Sequence, residues 1–216
     1  MSETEKTRLR RKPSRGSHER AVVEAILDEA LVCHLGVIEE AGFPVVTPTL
    51  HARLGPQLYV HGSAASRTLR RAAAAEVCLT ATLIDGLLLA RAAVRHSAHY
   101  RSAMVFGRAG VVEDAGEKLT ALEALVEKLV PGRWADVRAP SEQELRATSV
   151  LRIPLLEASA KIRGGPPVDD EADYALPVWA GVVGLRLAAG APEPDERLAP
   201  GVDCPPYVEE LVRTLG

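Results

Sequence analysis

Leu58-Tyr59-Val60-His61-Gly62-Ser63-Ala64-Ala65-Ser66-Arg67-Thr68-Leu69-Arg70-Arg71 is the stretch on which the fold of this 216-residue chain turns. Leu58, Tyr59 and Val60 are strand formers. Gly62 and Ser63 break the strand, and Ser63 or Ser66 can cap a following helix. A helix start leaves backbone N–H groups unpaired and carries the positive end of the dipole, which suits an anion. Arg67, Arg70 and Arg71 lie just inside that start, where cations oppose the dipole. A bound phosphate accounts for them; a solvated basic face is the plainer alternative.

Working outward, the segment before it reads as short strands with tight turns. Leu31 to Ile38 is a strand, Glu39 to Gly42 a turn, and Phe43 to Arg53 the returning strand. Pro44 and Pro48 restrict that strand to edge or bulge positions. Gly55-Pro56 turns the chain into Gln57 to His61, completing an antiparallel meander. Ahead of it, Ser17 is a good cap, and Val22, Val23, Ile26, Leu27 and Ala30 recur at helical spacing.

After it, a basic helix is expected over Ser66 to Ala75 and a fourth strand over Glu76 to Leu83. Asp85-Gly86 is a turn signal, with Leu87 to Val94 continuing the sheet. His96 to Tyr100 interrupts the pattern before a long strand, Arg101 to Glu113. Leu119, Leu122, Leu125, Val126 and Leu129 mark a helix closed by Pro131-Gly132, and Ser141 to Thr148 is a short helix. Val150 to Ser159 reads as a strand broken by Pro154, and Gly164 to Pro177 as a loop. Val178 to Leu187 is a last strand and Pro205 to Leu215 a terminal helix. Six or seven antiparallel strands with inserted helices imply a small barrel. There is neither a Gly-x-Gly-x-x-Gly turn nor a Walker loop.

Apolar residues make up 47% of the chain and aromatics only 4%, so a core must be built from Ala, Val and Leu. The net charge of −3 argues against general nucleic-acid binding. The cations are nonetheless uneven. Arg8, Arg10, Arg11, Lys12 and Arg15 crowd residues 1–16, read as a flexible basic tail ahead of a single domain over 17–216. Cys33, Cys78 and Cys204 are too scattered for a disulfide framework or zinc knuckle. No apolar run reaches membrane-spanning length and no signal segment is evident, so no membrane partner and a cytoplasmic setting are expected.

A second polar cluster is His96-Ser97-Ala98-His99-Tyr100-Arg101-Ser102. Arg101 offers planar recognition of phosphate and Ser102 a short hydrogen bond. With the Arg67 helix start it would form a two-sided clamp; the alternative is a polar strand entry facing water. His96 and His99 lack further ligands at metal-site spacing, so no metal is expected. Cys33 reads as a buried thiol. His34, His51 and His61 are the candidates for a haem ligand. Trp179 can serve as core, subunit contact or platform for a cofactor ring.

Five segments together resemble the pyridoxamine 5'-phosphate oxidase-like, FMN-binding split-barrel family, in the branch of the nitroimidazole-resistance proteins. They are His34-Leu35-Gly36, Pro44-Val45-Val46-Thr47-Pro48, Tyr59-Val60-His61-Gly62 with Ser66-Arg67, Tyr100-Arg101-Ser102 through Val105-Phe106-Gly107, and Lys161 to Gly181. The resemblance implies a mainly β (α+β) fold, a six-stranded antiparallel split β-barrel with peripheral helices, usually a homodimer with FMN at the subunit interface. It implies that Val46, Thr47, Pro48 and Thr49 line the isoalloxazine ring. His61, Gly62 and Ser63 would lie along the ribityl chain or ring edge. Ser66 and Arg67 would hold the phosphate, with Arg101 and Ser102 helping, and Tyr100 and Trp179 would pack near the cofactor or dimer seam.

On that basis the chain is expected to be an FMN-binding oxidoreductase passing electrons from a small-molecule donor to a small acceptor of quinone or nitroaromatic type. The cofactor carries the electron chemistry. His61 is the candidate acid–base residue, because imidazole titrates near neutral pH. The rival readings are a non-catalytic flavin- or haem-binding protein and an F420-dependent reductase on the same fold.

Overall fold

The computed structural model describes residues 1, 3–73 and 75–215. Its strands, in chain order, are Gly16–Ser17 (β1), Val32–Ile38 (β2), Pro44–Leu54 (β3), Gln57–Ser63 (β4), Glu76–Leu89 (β5), Ser97–Arg108 (β6), Gly110–Val111 (β7), Thr148–Pro154 (β8), Glu157–Arg163 (β9) and Gly181–Gly184 (β10). The helices are Arg20–Glu29 (α1), Arg67–Ala72 (α2), Ala115–Leu129 (α3), Glu142–Ala147 (α4) and Pro206–Leu215 (α5). The strands form one antiparallel sheet in the order β1-β9-β6-β5-β2-β3-β4-β8-β7, with β10 joined to β5. This is the expected mainly β split barrel with peripheral helices, with ten strands in place of six.

The extra strands have local causes. The expected break at Pro154 is a hairpin: Leu155 and Leu156 turn β8 into β9, so one predicted strand is two. Nor is Asp85-Gly86 a turn. β5 runs straight through it with a bulge at Asp85, between the pairs Ile84↔Tyr100 and Gly86↔His99. Gly86 also admits β10, since a Cβ there would lie 2.9 Å from the Val183 carbonyl oxygen. The remaining additions are the two-residue strands β1, on β9, and β7, on β8.

Alternation sets the faces. Cys33, Leu35 and Val37 of β2 are buried, while Val32, His34 and Ile38 face outward. The inner face meets α1, whose Val23, Ile26 and Leu27 are buried in the core. That main core contains no aromatic side chain and is built of Val, Leu, Ile, Ala and Cys33. Each fully buried Leu or Ile contributes about 1.5–3 kcal/mol. A smaller cluster, with Tyr59, Val112, Ala121 and Val150, lies between the sheet and α3. Asp114 caps α3, accepting from the Glu117 N–H at 2.7 Å, and a Ser141–Glu144 capping box starts α4.

The amino-terminal residues expected to be a flexible tail make defined contacts. Thr7 is buried, the Thr4 hydroxyl bonds Glu157, and Lys6 pairs with Glu76 and Glu157 at 3.2 Å each. Among the described residues no helix is long and apolar enough to cross a membrane.

Candidate functional site

The barrel splits between β3 and β4. Their pairing runs from Leu54↔Gln57 to His51↔Val60 and stops. Beyond that point β3 pairs only with β2, through Leu50 to Pro44. The end of β4, His61 to Ser63, pairs only with β8. Among the described residues, 44–50 therefore present one edge to no strand, which is what Pro44 and Pro48 require. Val46, Thr47, Pro48 and Thr49 lie along that edge, and His61, Gly62, Ser63 and the start of α2 form the opposite wall.

Local sequence fixes α2 against this wall. Ser66 accepts from the Leu69 N–H at 3.3 Å, and Ser63 accepts from the Ala65 N–H at 3.1 Å. Gly62 makes room for Leu69, whose Cδ1 would stand 2.9 Å from an added Cβ. Arg67 pairs with Glu39 at 3.3 Å, while Arg71 donates to the Ile38 carbonyl at 2.7 Å and reaches Glu40 at 3.7 Å. The β2–β3 turn thus supplies carboxylates to two of the three arginines, and Arg70 remains exposed. Arg67 is still largely solvent-accessible and can turn toward an anion in the split.

An apolar cavity of about 520 Å³ opens beside His61. Its walls are Leu122, Leu125, Val126 and Leu129 of α3, Leu50 of β3 and Trp134, with Arg138 and Glu144 at the polar side. Arg138 forks onto Glu144 at 2.6 and 2.7 Å. His61 makes no hydrogen bond to any described residue, and its Nδ1 is buried and unpartnered. Burial lowers its pKa, so the ring is neutral at pH 7. A neutral, unpartnered imidazole in an apolar pocket suits a metal-bearing planar ligand. The α3 stripe was legible in the sequence, but Trp134 and Arg138 were not marked as site residues; the second tryptophan just after a Pro-Gly helix stop was the available signal.

The other histidines sort differently. His34 faces outward between Pro48 and Thr80. His51 is buried, with Nε2 2.9 Å from the Leu27 carbonyl oxygen and 3.0 Å from Lys128 Nζ. Burial, reinforced by the Lys128 charge, pushes its pKa down to about 4. Its Nε2 is engaged, which leaves His61 as the better-placed haem ligand of the three. His96 and His99 do not converge: one bonds the Ala92 carbonyl and the other the Gly165 carbonyl.

Tyr100, Arg101 and Ser102 lie on β6, which β5 and β2 separate from β3. Arg101 is held by Asp85 and Glu29, Ser102 donates to the Lys161 carbonyl at 3.2 Å, and Tyr100 faces outward. Within one chain the Arg67 and Arg101 clusters do not form two jaws of one clamp. Trp179 is exposed, its ring packed over Gly181.

Comparison with known proteins follows the same outline. The family profile described as pyridoxamine 5'-phosphate oxidase matches residues 19–162. Among solved structures, the flavocytochrome Anf3 from Azotobacter vinelandii is 39% identical, with a TM-score of 0.90 and 96% of each chain covered. An FAD and heme binding protein from Mycobacterium smegmatis is 34% identical, with a TM-score of 0.87 over 92% of this chain and 97% of that one. A candidate 5-nitroimidazole antibiotic resistance protein from Bacteroides thetaiotaomicron is 25% identical, with a TM-score of 0.56 over 68% and 86%. No curated protein matches the chain.

Proposed function

The chain belongs to the pyridoxamine 5'-phosphate oxidase-like family, and from that premise we propose that it is a redox protein carrying a flavin at the split of the barrel and a haem in the cavity beside His61. The observation that carries the reading is that cavity: about 520 Å³, walled by leucines, valine and tryptophan, with one neutral and unpartnered imidazole. A haem asks for an apolar slot, a neutral nitrogen ligand and a cation near its carboxylates. His61 and the α3 stripe supply the first two, and Arg138, forked onto Glu144, is the cation at the rim. Of two relatives similar over nearly their whole length, one is named a flavocytochrome and the other an FAD and heme binding protein.

The open edge of β3 supports the flavin half. Backbone groups of Val46 to Thr49 are not taken up by a second strand, so they are available to ring heteroatoms. Arg67 and Ser66 stand at the helix start for the phosphate, and backbone donors near Thr47 to Thr49 would stabilise negative charge on the reduced ring. A second copy of the chain is the natural cover for this face, where Val32, Ile38, Val46, Ile84 and Met104 are exposed.

When bound, the flavin exchanges electron pairs or single electrons and the haem iron single electrons. The chain's own part is to hold them, exclude water and orient a small acceptor of the quinone or nitroaromatic class. His61 would then hold the haem iron in place of the acid–base role expected of it.

An absorbance spectrum of freshly purified protein, with mass identification of the released cofactors, tests this. A Soret band beside a flavin band is expected. His61→Ala should abolish the Soret band, keep the flavin band, and regain haem with added imidazole. A colourless protein that refuses both cofactors overturns the reading, and a Soret band unchanged in His61→Ala overturns the ligand assignment.

A further inference from the structure

A second cavity of about 520 Å³ lies where residues 11–15 cross the β6–β9 end of the sheet, which β5 and β2 separate from β3 of the same chain. Arg11, Lys12, Arg15, Arg95, Lys161 and Arg163 line it, and no acidic residue does. Among the described residues only Arg95 has a carboxylate partner, Asp170 at 2.6 Å. Five uncompensated cations therefore converge on one hollow of a chain whose net charge is −3. Their mutual repulsion opposes folding.

The fold builds this arrangement. β1 pairs Gly16 with Lys161 and Ser17 with Ala160, which carries residues 11–15 across the end of β9. Lys12 adopts φ 56°, ψ 58°, the left-handed region that a residue with a Cβ disfavours. A short helical turn, Pro13–Arg15, follows it. Arg163 is steadied by the Ser97 hydroxyl. The opposite wall is apolar and aromatic: Leu88, Val94, Val168 and Tyr100.

We propose that this cleft binds the diphosphate of a nucleotide, with the base laid against Tyr100 and the apolar wall. Arginine forks and lysine charge suit clustered phosphate oxygens. The volume is that of a small-molecule site, and an inorganic anion would leave the apolar wall unused. The inference stands on the cleft and does not require the flavin reading. That reading supplies two carriers of the group: the adenylate half of a dinucleotide flavin, or a separate pyridine dinucleotide.

The test is calorimetric titration of the full chain, loaded with FMN, using ADP, pyrophosphate and adenosine at low ionic strength. Saturable ADP binding is expected, with adenosine weaker by at least about tenfold. Lys161→Gln/Arg163→Gln should weaken ADP by about 30-fold or more, and Arg11→Gln/Arg15→Gln should do so from the other wall. Arg146→Gln, a surface change outside the cleft, should leave ADP binding unchanged. No saturable ADP binding by the wild-type chain overturns the proposal, as does an equal loss in Arg146→Gln, which would mark bulk charge attraction.

The carriers are separated by comparing FAD with FMN. If the Lys161/Arg163 double variant reduces FAD affinity to that of FMN, the cleft holds the flavin's own adenylate. If both flavins bind alike and only NADH or NADPH affinity falls, it holds a separate dinucleotide. A chain that takes up no flavin defeats the flavin reading alone, because ADP titration of that chain still decides the cleft.

Discussion

Arg101 and Asp85 form a two-bond fork at the bulge of β5, with Nε donating to Oδ2 at 3.0 Å and Nη2 to Oδ1 at 2.7 Å. Glu29, the last residue of α1, takes the other side of the same guanidinium, with Nη2 donating to Oε1 at 2.7 Å. A carboxylate at a helix C-terminus is disfavoured by the dipole, and Arg101 offsets it. The hydrogen bonds from Arg101 hold the Glu29 pKa below its ordinary value.

Arg101 is therefore expected to act on stability first. Arg101→Ala leaves two carboxylates facing each other and should cost about 1–2 kcal/mol, read as a lower urea midpoint. Arg101→Lys should recover less than half, since an ammonium cannot fork onto two carboxylates. Flavin affinity of the folded Ala variant should change by less than about threefold. A large affinity loss at unchanged stability would instead make Arg101 a cofactor ligand, reached across the dimer.

Arg67 is expected to behave in the opposite way. Its side chain is 74% exposed and its ion pair with Glu39 is not enclosed, so its removal should hardly move the urea midpoint. Flavin affinity should fall by about 1.5–3 kcal/mol if the guanidinium meets the phosphate. Glu39→Gln releases Arg67 from its present partner and should leave flavin binding equal or tighter. Unchanged affinity in a folded Arg67→Ala protein would remove it from the site.

Much of this frame was legible in the sequence because it is set by local rules. Alternation located β2 to β4, the leucine spacing located α3, and Ser66 marked the start of α2. Pro44 and Pro48 named the half of β3 that lacks a second partner. What was not legible depends on distant pairing. Asp85-Gly86 has the composition of a turn, yet Arg101 and β10 hold it in a continuous strand. Leu155-Leu156 has no turn chemistry, and only the pairing of β8 with β4 and of β9 with β6 makes it a hairpin. The carboxylates that meet Arg67 and Arg71 come from a turn some thirty residues earlier. The basic cleft joins residues 11–15 to Lys161 and Arg163, and no window on the sequence contains both.

His51 gives the fold an acid limit. Its pKa is about 4 in the folded chain and 6.5 in the unfolded one, the shift coming from burial and then from the Lys128 charge. Between these values the unfolded chain binds the extra proton, so stability present above pH 6.5 is lost as pH falls toward 4. The full loss is about 3 kcal/mol. His51→Gln should flatten this part of the stability profile relative to wild type, measured by urea unfolding at pH 7, 6, 5 and 4. An unchanged slope would mean that the ring is not buried neutral. Lys128→Met should shift the wild-type loss to lower stability cost by letting His51 protonate more readily.

Lys128 sets a second, alkaline window of the same origin, burial of a basic group. Its Nζ donates to the Leu27 carbonyl at 2.7 Å near the end of α1, a favourable place for a cation. Burial nevertheless lowers its pKa from 10.5 to about 8. The folded pKa lies below the unfolded one, so from about pH 8 to 10.5 the unfolded chain carries more protons and stability rises with pH. Below pH 8 the buried charge weighs on the fold in full, by about 3 kcal/mol over the whole window. Lys128→Met keeps most of the side-chain volume and removes both the charge and its bond to Leu27. At neutral pH its net effect should be within about 1 kcal/mol of wild type, or stabilising, as found when buried charges are replaced by apolar side chains. Its stability should show no rise from this group between pH 8 and 10.5. If wild type and Lys128→Met rise in parallel there, Lys128 is solvated and the interior beside His51 is wetter than its packing indicates.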